Sequence, residues 1–68
     1  MEYGIVRKWD PIKGFGFINT TDDEDVFVNA NDLDITLQKR GLRVGDRVAF
    51  DVKSDLKGPK AVRVRIAR

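Results

Sequence analysis

Lys13-Gly14-Phe15-Gly16-Phe17-Ile18, followed by Asp25-Val26-Phe27-Val28-Asn29, decides how the chain is read. Successive side chains of an extended strand point to opposite faces, so Phe15 and Phe17 share one face and Gly16 and Ile18 the other. On the second stretch Val26 and Val28 form the core face, which turns Phe27 and Asn29 outward. Three phenylalanines then stand on the outer side of an antiparallel pair, with Lys13 at its edge. A flat aromatic base with a phosphate beside it answers both features, because every base offers a face for stacking and the lysine meets the charge. Burial of the same rings under a second sheet, a helix or a partner chain is the competing reading, and the rest of the chain has to choose between them.

The chain has 68 residues, with neither cysteine nor histidine. A domain of this length buries only about 60% of the surface its unfolded chain exposes, so one small domain over residues 1–68 is expected. Disulfide and the usual zinc staples are excluded, and stability must come from a well-closed sheet. Charged residues interrupt every apolar run near the N-terminus, which fits neither a signal peptide nor a membrane span and reads as a soluble, cytoplasmic protein. No cofactor or metal is expected. The net charge is only +2, from 13 basic and 11 acidic residues, but the charges are segregated. Acids gather at Asp22-Asp23-Glu24-Asp25, Asp32 and Asp34. Bases gather at Arg7-Lys8, Lys39-Arg40-Arg43, Lys57-Lys60 and Arg63-Arg65-Arg68, enough to give one face a positive field.

Taken in order, residues 3 to 9 read as a first strand ended by Asp10-Pro11, with Gly4 marking a bulge or tight bend. Strand two runs from Phe15 to about Asn19, and a polar turn over Thr20 to Glu24 pairs it with strand three as a hairpin. The acidic turn lacks the glycine-centred spacing of a calcium loop and reads as a solvated tip. Residues 30 to 44 are irregular. Asn31 or Asp32 is placed to cap a short helical turn there, with Leu33, Ile35, Leu37 and Leu42 as plugs for the sheet. Strand four alternates Val48, Phe50 and Val52 against Arg47, Ala49, Asp51 and Lys53. After a turn over Ser54 to Pro59, strand five sets Val62, Val64 and Ile66 inward.

Five short strands are too few for a sandwich, and an open sheet would leave unpaired edges. Closure into a five-stranded antiparallel barrel of the oligonucleotide-binding (OB) type removes the edges and buries one face of every strand. The inward set would be Val6, Gly16, Ile18, Val26, Val28, Val48, Phe50, Val52, Val62 and Val64. That set fills a small barrel without Phe15, Phe17 or Phe27, which favours the exposed reading of the rings.

The two phenylalanine stretches resemble the paired ribonucleoprotein-type motifs of the cold-shock domain family. Gly4-Ile5-Val6-Arg7, Leu42-Arg43-Val44-Gly45-Asp46-Arg47-Val48-Ala49-Phe50 and Lys57-Gly58-Pro59-Lys60-Ala61 sit where that family has its corresponding pieces, so the resemblance covers residues 3 to 66. It implies a barrel that binds single-stranded RNA or DNA with little sequence preference, often as an RNA chaperone. Lys13, Phe15, Phe17 and Phe27 fall on family binding positions, and Lys57 falls near a basic one.

The departures fall on stacking platforms. The family's first strand reads Lys-Trp-Phe-Asn, whereas here Lys8 holds the tryptophan place and Trp9 follows it. A one-residue shift flips a strand side chain, which makes Trp9 either a core residue or, through a bulge, a member of the binding face. The family's histidine and phenylalanine after the second motif are replaced by Asn29 and Ala30, and residues 31 to 44 carry no aromatic. Weaker, more salt-dependent binding than that of a full-motif member is therefore expected. On this reading Phe15, Phe17 and Phe27 stack bases, Lys8, Lys13 and Lys57 follow the backbone, and Trp9 and Asn29 add auxiliary contacts. The chain would act as a monomer, with a dimer as the alternative.

Two other function classes compete. An enzyme lacks the means: there is no histidine or cysteine, and Ser54, the one serine, lies in a turn with no base beside it. A protein-interaction or dimerisation module on a barrel whose nucleic-acid site has degenerated is the serious rival, since fold alone does not decide function. Lys13 and the separate basic run speak against it, because an apolar protein interface has no need of a basic rim.

Overall fold

The computed structural model describes residues 1–67. Five strands, β1 (Glu2–Asp10), β2 (Phe15–Thr20), β3 (Asp25–Asn29), β4 (Arg47–Asp55) and β5 (Gly58–Ile66), close into a barrel in the order β1-β2-β3-β5-β4. The expected all-antiparallel barrel is corrected at one seam: β3 and β5 pair in parallel, through Phe27 opposite Lys60 and Val28 opposite Ala61. Parity requires this. Strand directions cannot alternate all the way round a ring with an odd number of members, so at least one neighbouring pair must run in parallel.

The β2–β3 hairpin forms as read, with Phe17 opposite Phe27 and Ile18 opposite Val26. Its acidic turn is a folded unit: Thr20 Oγ1 accepts the N–H of Asp22 (3.3 Å) and of Glu24 (3.2 Å), and Asn19 Nδ2 donates to the carboxylates of Asp23 (3.2 Å) and Asp25 (3.1 Å). Asp23 takes a positive φ of 60°, which a short polar side chain tolerates better than a branched one.

The bulge expected at Gly4 lies elsewhere. Gly4 serves a close approach, since a Cβ there would come within 2.5 Å of the Asn19 carbonyl, and the register of β1 slips instead between Val6 and Lys8. A second slip falls on β5, where Arg63 adopts a φ of 51° and the ladder with β4 shifts across Phe50. That slip overturns part of the expected core: Ala61 and Val64 are buried, whereas Val62 is half-buried and Ile66 exposed. Val52 is exposed too, because β4 beyond Asp51 leaves the barrel and continues as an arm with the start of β5.

Val6, Ile18, Val28, Val48, Phe50 and Val64 are the largest fully buried side chains. The connection from β3 to β4 caps this core with Leu33, Leu37 and Leu42, while Ile35 is exposed and plugs nothing. Its two short helical pieces are a 3-10 turn over Ala30–Asp32 and α1 over Ile35–Gln38, capped by Asn29 and Asp34 rather than by Asn31 or Asp32. The connection ends in a clamp. Arg40 donates from both terminal nitrogens to the Asp46 carboxylate (3.1 and 3.3 Å), which also accepts the Arg43 N–H at 3.0 Å. The Asp46 carbonyl accepts the Val6 N–H, and Gly45 N–H donates to the Val6 carbonyl, both at 2.9 Å, so the clamp is stitched to β1 where its register slips.

Candidate nucleic-acid interface

Read along the ladders, the outer surface carries one continuous row across all five strands. Lys8 lies opposite Phe17, Phe17 opposite Phe27, Phe27 opposite Lys60, and Lys60 opposite Lys53. Two aromatic positions are thus bracketed by lysines on both sides. A second, shorter row places Asp10, Phe15 and Asn29 beside it.

The three rings form one half-buried cluster. Phe15 and Phe27 lie with centroids 5.8 Å apart and planes inclined by 29°, while Phe17 meets Phe27 edge-on at 5.9 Å and 74°. Both arrangements suit aromatic quadrupoles, so the rings hold one another in place with faces still open to solvent. The fold brings Phe15, Phe17 and Phe27 together and leaves them out of the core.

Lys8 reaches this surface through the slip at Arg7. In an unbroken β1, continuing the Val6–Ile18 pairing would set Trp9 opposite Phe15, on the ring face. The slip instead sets Trp9 opposite Gly16, on the barrel side, where it is half-buried against the core. Of the two placements open from sequence, Trp9 therefore takes the core one, and the bulge turns it inward rather than outward. Gly16 makes room for this crossing, since a Cβ there would run into the Lys8 carbonyl. Gly41 lies over the indole, and a Cβ on it would come 3.0 Å from Trp9 Nε1.

Lys13 is exposed in the β1–β2 turn. Asp10 Oδ1 accepts the Lys13 N–H at 3.1 Å and the Ile12 N–H at 3.0 Å, fixing the turn beside the rings. The Lys13 N–H bond, then the Ile12 N–H bond and the charges of Lys13 and Lys8, hold the Asp10 carboxyl below its ordinary range. Asn29 spends its Oδ1 on the Asn31 N–H (3.0 Å), which leaves its amide nitrogen as the group to offer a ligand. Lys57 sits in the two-residue turn between Asp55 and Gly58, much tighter than the turn expected over Ser54 to Pro59. From there it lines a groove of about 520 Å³ with Phe17, Phe27, Asn29, Asp55, Gly58, Pro59 and Lys60.

Sequence reasoning missed Lys60 and Lys53 as members of this surface. Lys60 stands in the groove wall, its Nζ 3.4 Å from Asp32 Oδ2. Only the parallel seam, which no local pattern announces, puts it beside Phe27. No group of metal-ligating side chains occurs among the described residues. No helix among them is long and apolar enough to cross a membrane.

Comparison with known proteins agrees with this geometry. The sequence profile of the 'Cold-shock' DNA-binding domain matches residues 2–67. The chain is 39% identical over 64 residues to the major cold shock protein of Streptococcus pyogenes, covering 94% of each. It is 43% identical over 68 residues to a cold shock-like protein of Aquifex aeolicus, with 93% of this chain and 90% of that protein covered. Against cold shock protein CspC of Bacillus subtilis it is 37% identical over 70 residues, covering 98% of this chain and all of the other. Barrel, ring cluster and near-complete coverage agree: the chain belongs to the cold-shock domain family, a family of nucleic-acid-binding rather than enzymatic proteins.

Proposed function

We propose that the chain binds single-stranded RNA or DNA with low sequence specificity. Bases stack on Phe15, Phe17 and Phe27, while Lys8, Lys13 and Lys57 lie along the backbone and the Asn29 amide adds a polar contact. The observation that carries this reading is the row in which Lys8, Phe17 and Phe27 follow one another across three strands. Stacking is worth about 1–3 kcal/mol per base and ignores base identity. The lysines add an attraction to phosphates that weakens with salt. Trp9 supports this surface from the barrel side instead of adding a platform to it. Ala30 adds none either, so affinity rests on three rings.

RNA-chaperone action is part of the same proposal. A base laid on a ring is unavailable for pairing, so binding draws strands out of weak hairpins and leaves stable duplexes alone. As a protein-interaction surface the same face would have to strip water from several lysines for no return. The test is anisotropy of a labelled pyrimidine-rich heptamer titrated with the protein at two salt concentrations. Binding that weakens with salt and is lost for the matching duplex is expected. Equal binding of both forms, or none at low salt, would refute the proposal.

A further inference from the structure

A second outer face of the barrel carries opposite charges at its two ends. One row across the ladders runs Arg47, Ile5, Asn19, Asp25, from β4 through β1 and β2 to β3. The row beside it runs Arg65, Ala49, Tyr3. Tyr3 and Ile5 point outward, alternating with the buried Gly4 and Val6, and are 53% and 51% exposed. Apolar side chains scattered singly over a surface are ordinary, but these two are neighbours with charge of opposite sign on either side.

The basic end is uncompensated. Arg47 and Arg65 are exposed, and neither lies within ion-pair distance of a carboxylate among the described residues. Arg65 stands opposite Ala49 and donates from Nη2 to Met1 Sδ at 3.1 Å, so its stem crosses β4 and carries its charge toward β1. The acidic end is fixed by Asn19, whose amide binds the carboxylates of Asp23 and Asp25. Arg7 approaches Asp25 only at 3.6 Å, through exposed side chains, and Asp22 and Glu24 make no ion pair among the described residues.

This pattern complements itself in one orientation. Two copies brought face to face about a two-fold axis lying along β1 set Tyr3 and Ile5 of one against those of the other. Each basic end then covers the other copy's acidic end, whereas an axis across the strands would set like charge on like. We propose that two copies of the chain associate through this face, as an isologous pair with an apolar centre and reciprocal charged flanks. A nucleic acid is the poorer occupant, because the acidic end would repel its phosphates. Two convex barrels touch over a small area, so the pair is weak and exchanges with the monomer expected from the sequence. The ring row lies two residues along β2 and β3 from Asn19 and Asp25, outside the apolar centre.

Sedimentation equilibrium from micromolar to millimolar protein, at low and high salt, tests this together with an amide chemical-shift dilution series. The unaltered protein should approach twice the monomer mass as concentration rises, more readily at low salt, with dilution shifts confined to this face. Ile5→Lys, at an exposed position, should keep the fold and abolish the association. Two charge variants test the polarity. Arg47→Glu with Arg65→Glu makes both ends of the face acidic. Asp22→Lys and Glu24→Lys, combined with Asp23→Asn and Asp25→Asn to keep acceptors for the Asn19 amide, make both ends basic. Neither variant alone should associate, whereas an equal mixture should form a dimer about as tight as that of the unaltered protein. Urea midpoints and Trp9 emission verify that each variant is folded. A mixture of the folded variants that stays monomeric overturns the proposal. So does a monomer mass for the unaltered protein at every concentration and salt. Association that survives Ile5→Lys overturns it as well, because the contact would then lie on another face.

Discussion

Lys8 stands directly across from Phe17, and it does so because β1 slips its register after Val6. The same slip turns the indole of Trp9 onto the barrel side opposite Gly16. Continuing the Val6–Ile18 pairing would set Arg7 opposite Phe17 and Trp9 opposite Phe15, so the slip exchanges one cation for another in this row and takes an aromatic ring out of the row beside it. Replacing Lys8 by Ala should weaken single-strand binding alike for all sequences. It should also make the slope of log K against log salt shallower by about 0.7, the value for one phosphate contact on a single strand. Titrations at several ionic strengths check this, and an unchanged slope would remove Lys8 from the backbone path.

Phe27 touches both other rings, so it is the most informative one to remove. Phe27→Ala should cost about 1–3 kcal/mol of binding, or roughly 5- to 150-fold. The ring is half-buried, so the loss of stability should stay below the ~3–5 kcal/mol of a core Phe→Ala change. Phe50→Ala, at a fully buried position, supplies the comparison and should approach complete unfolding. Urea denaturation beside anisotropy separates the two effects. Unfolding of Phe27→Ala to the same degree as Phe50→Ala would mean that the ring is core.

Gly41 answers to two constraints at once. Its φ is +73°, and a Cβ would lie 3.0 Å from Trp9 Nε1. Gly41→Ala should therefore destabilise the fold by about 1–2 kcal/mol, from left-handed backbone strain and displacement of the indole. A lower urea midpoint together with a red-shifted Trp9 emission is the expected pair of observations. A lower midpoint with unchanged emission would assign the cost to the backbone alone.

The stacking rings were legible because alternation in β2 and β3 is uninterrupted, and parity alone assigns their faces. Parity fails wherever a strand slips. The slips at Arg7 and Arg63 answer to the closure of the barrel, and they are why Trp9, Val62 and Ile66 do not sit where an even count places them. Exposure of Val52 has a different cause: nothing local marks where β4 stops being barrel and becomes arm. The parallel seam was accessible from the odd strand count, but its residues were not, so Lys60 and its partner Asp32 stayed invisible to a local reading. Asn29 was recognised as a surface residue, yet its capping bond depends on where the following 3-10 turn begins.

Acid should loosen the clamp between α1 and β4. The Arg40 guanidinium, with the Arg43 N–H, holds the Asp46 carboxyl below the usual carboxylate range in the folded protein. A depressed folded-state value means that the stabilisation is fully present above the unfolded value of about 4 and is lost as pH falls through the folded one. Stability should be nearly flat from neutral pH to about 5 and decline below about 4. Asp46→Asn should be less stable at neutral pH and show a smaller acid-induced decline. Urea midpoints across pH 3 to 7 for both proteins test the assignment, and parallel profiles would clear Asp46 of any part in it.

Ala30 follows Asn29 at the end of β3, and its N–H donates to the Gly14 carbonyl at 2.8 Å beside Phe15. The resembling family carries phenylalanine here, so this chain has an anchored position with no ring on it. Ala30→Phe should add a stacking platform and tighten binding of a pyrimidine heptamer by about tenfold, the lower part of the range for one stacked base. The salt slope should not change, because no phosphate contact is added. Gly14 sets the condition for success. Its φ of +73° and the 3.3 Å from its missing Cβ to the Ala30 Cβ leave room only while residue 14 stays glycine. Combining Ala30→Phe with Gly14→Ala should therefore lose both the gain in affinity and much of the stability. A gain that instead arrives with a steeper salt slope would mean that the new ring had moved the lysines rather than stacked a base.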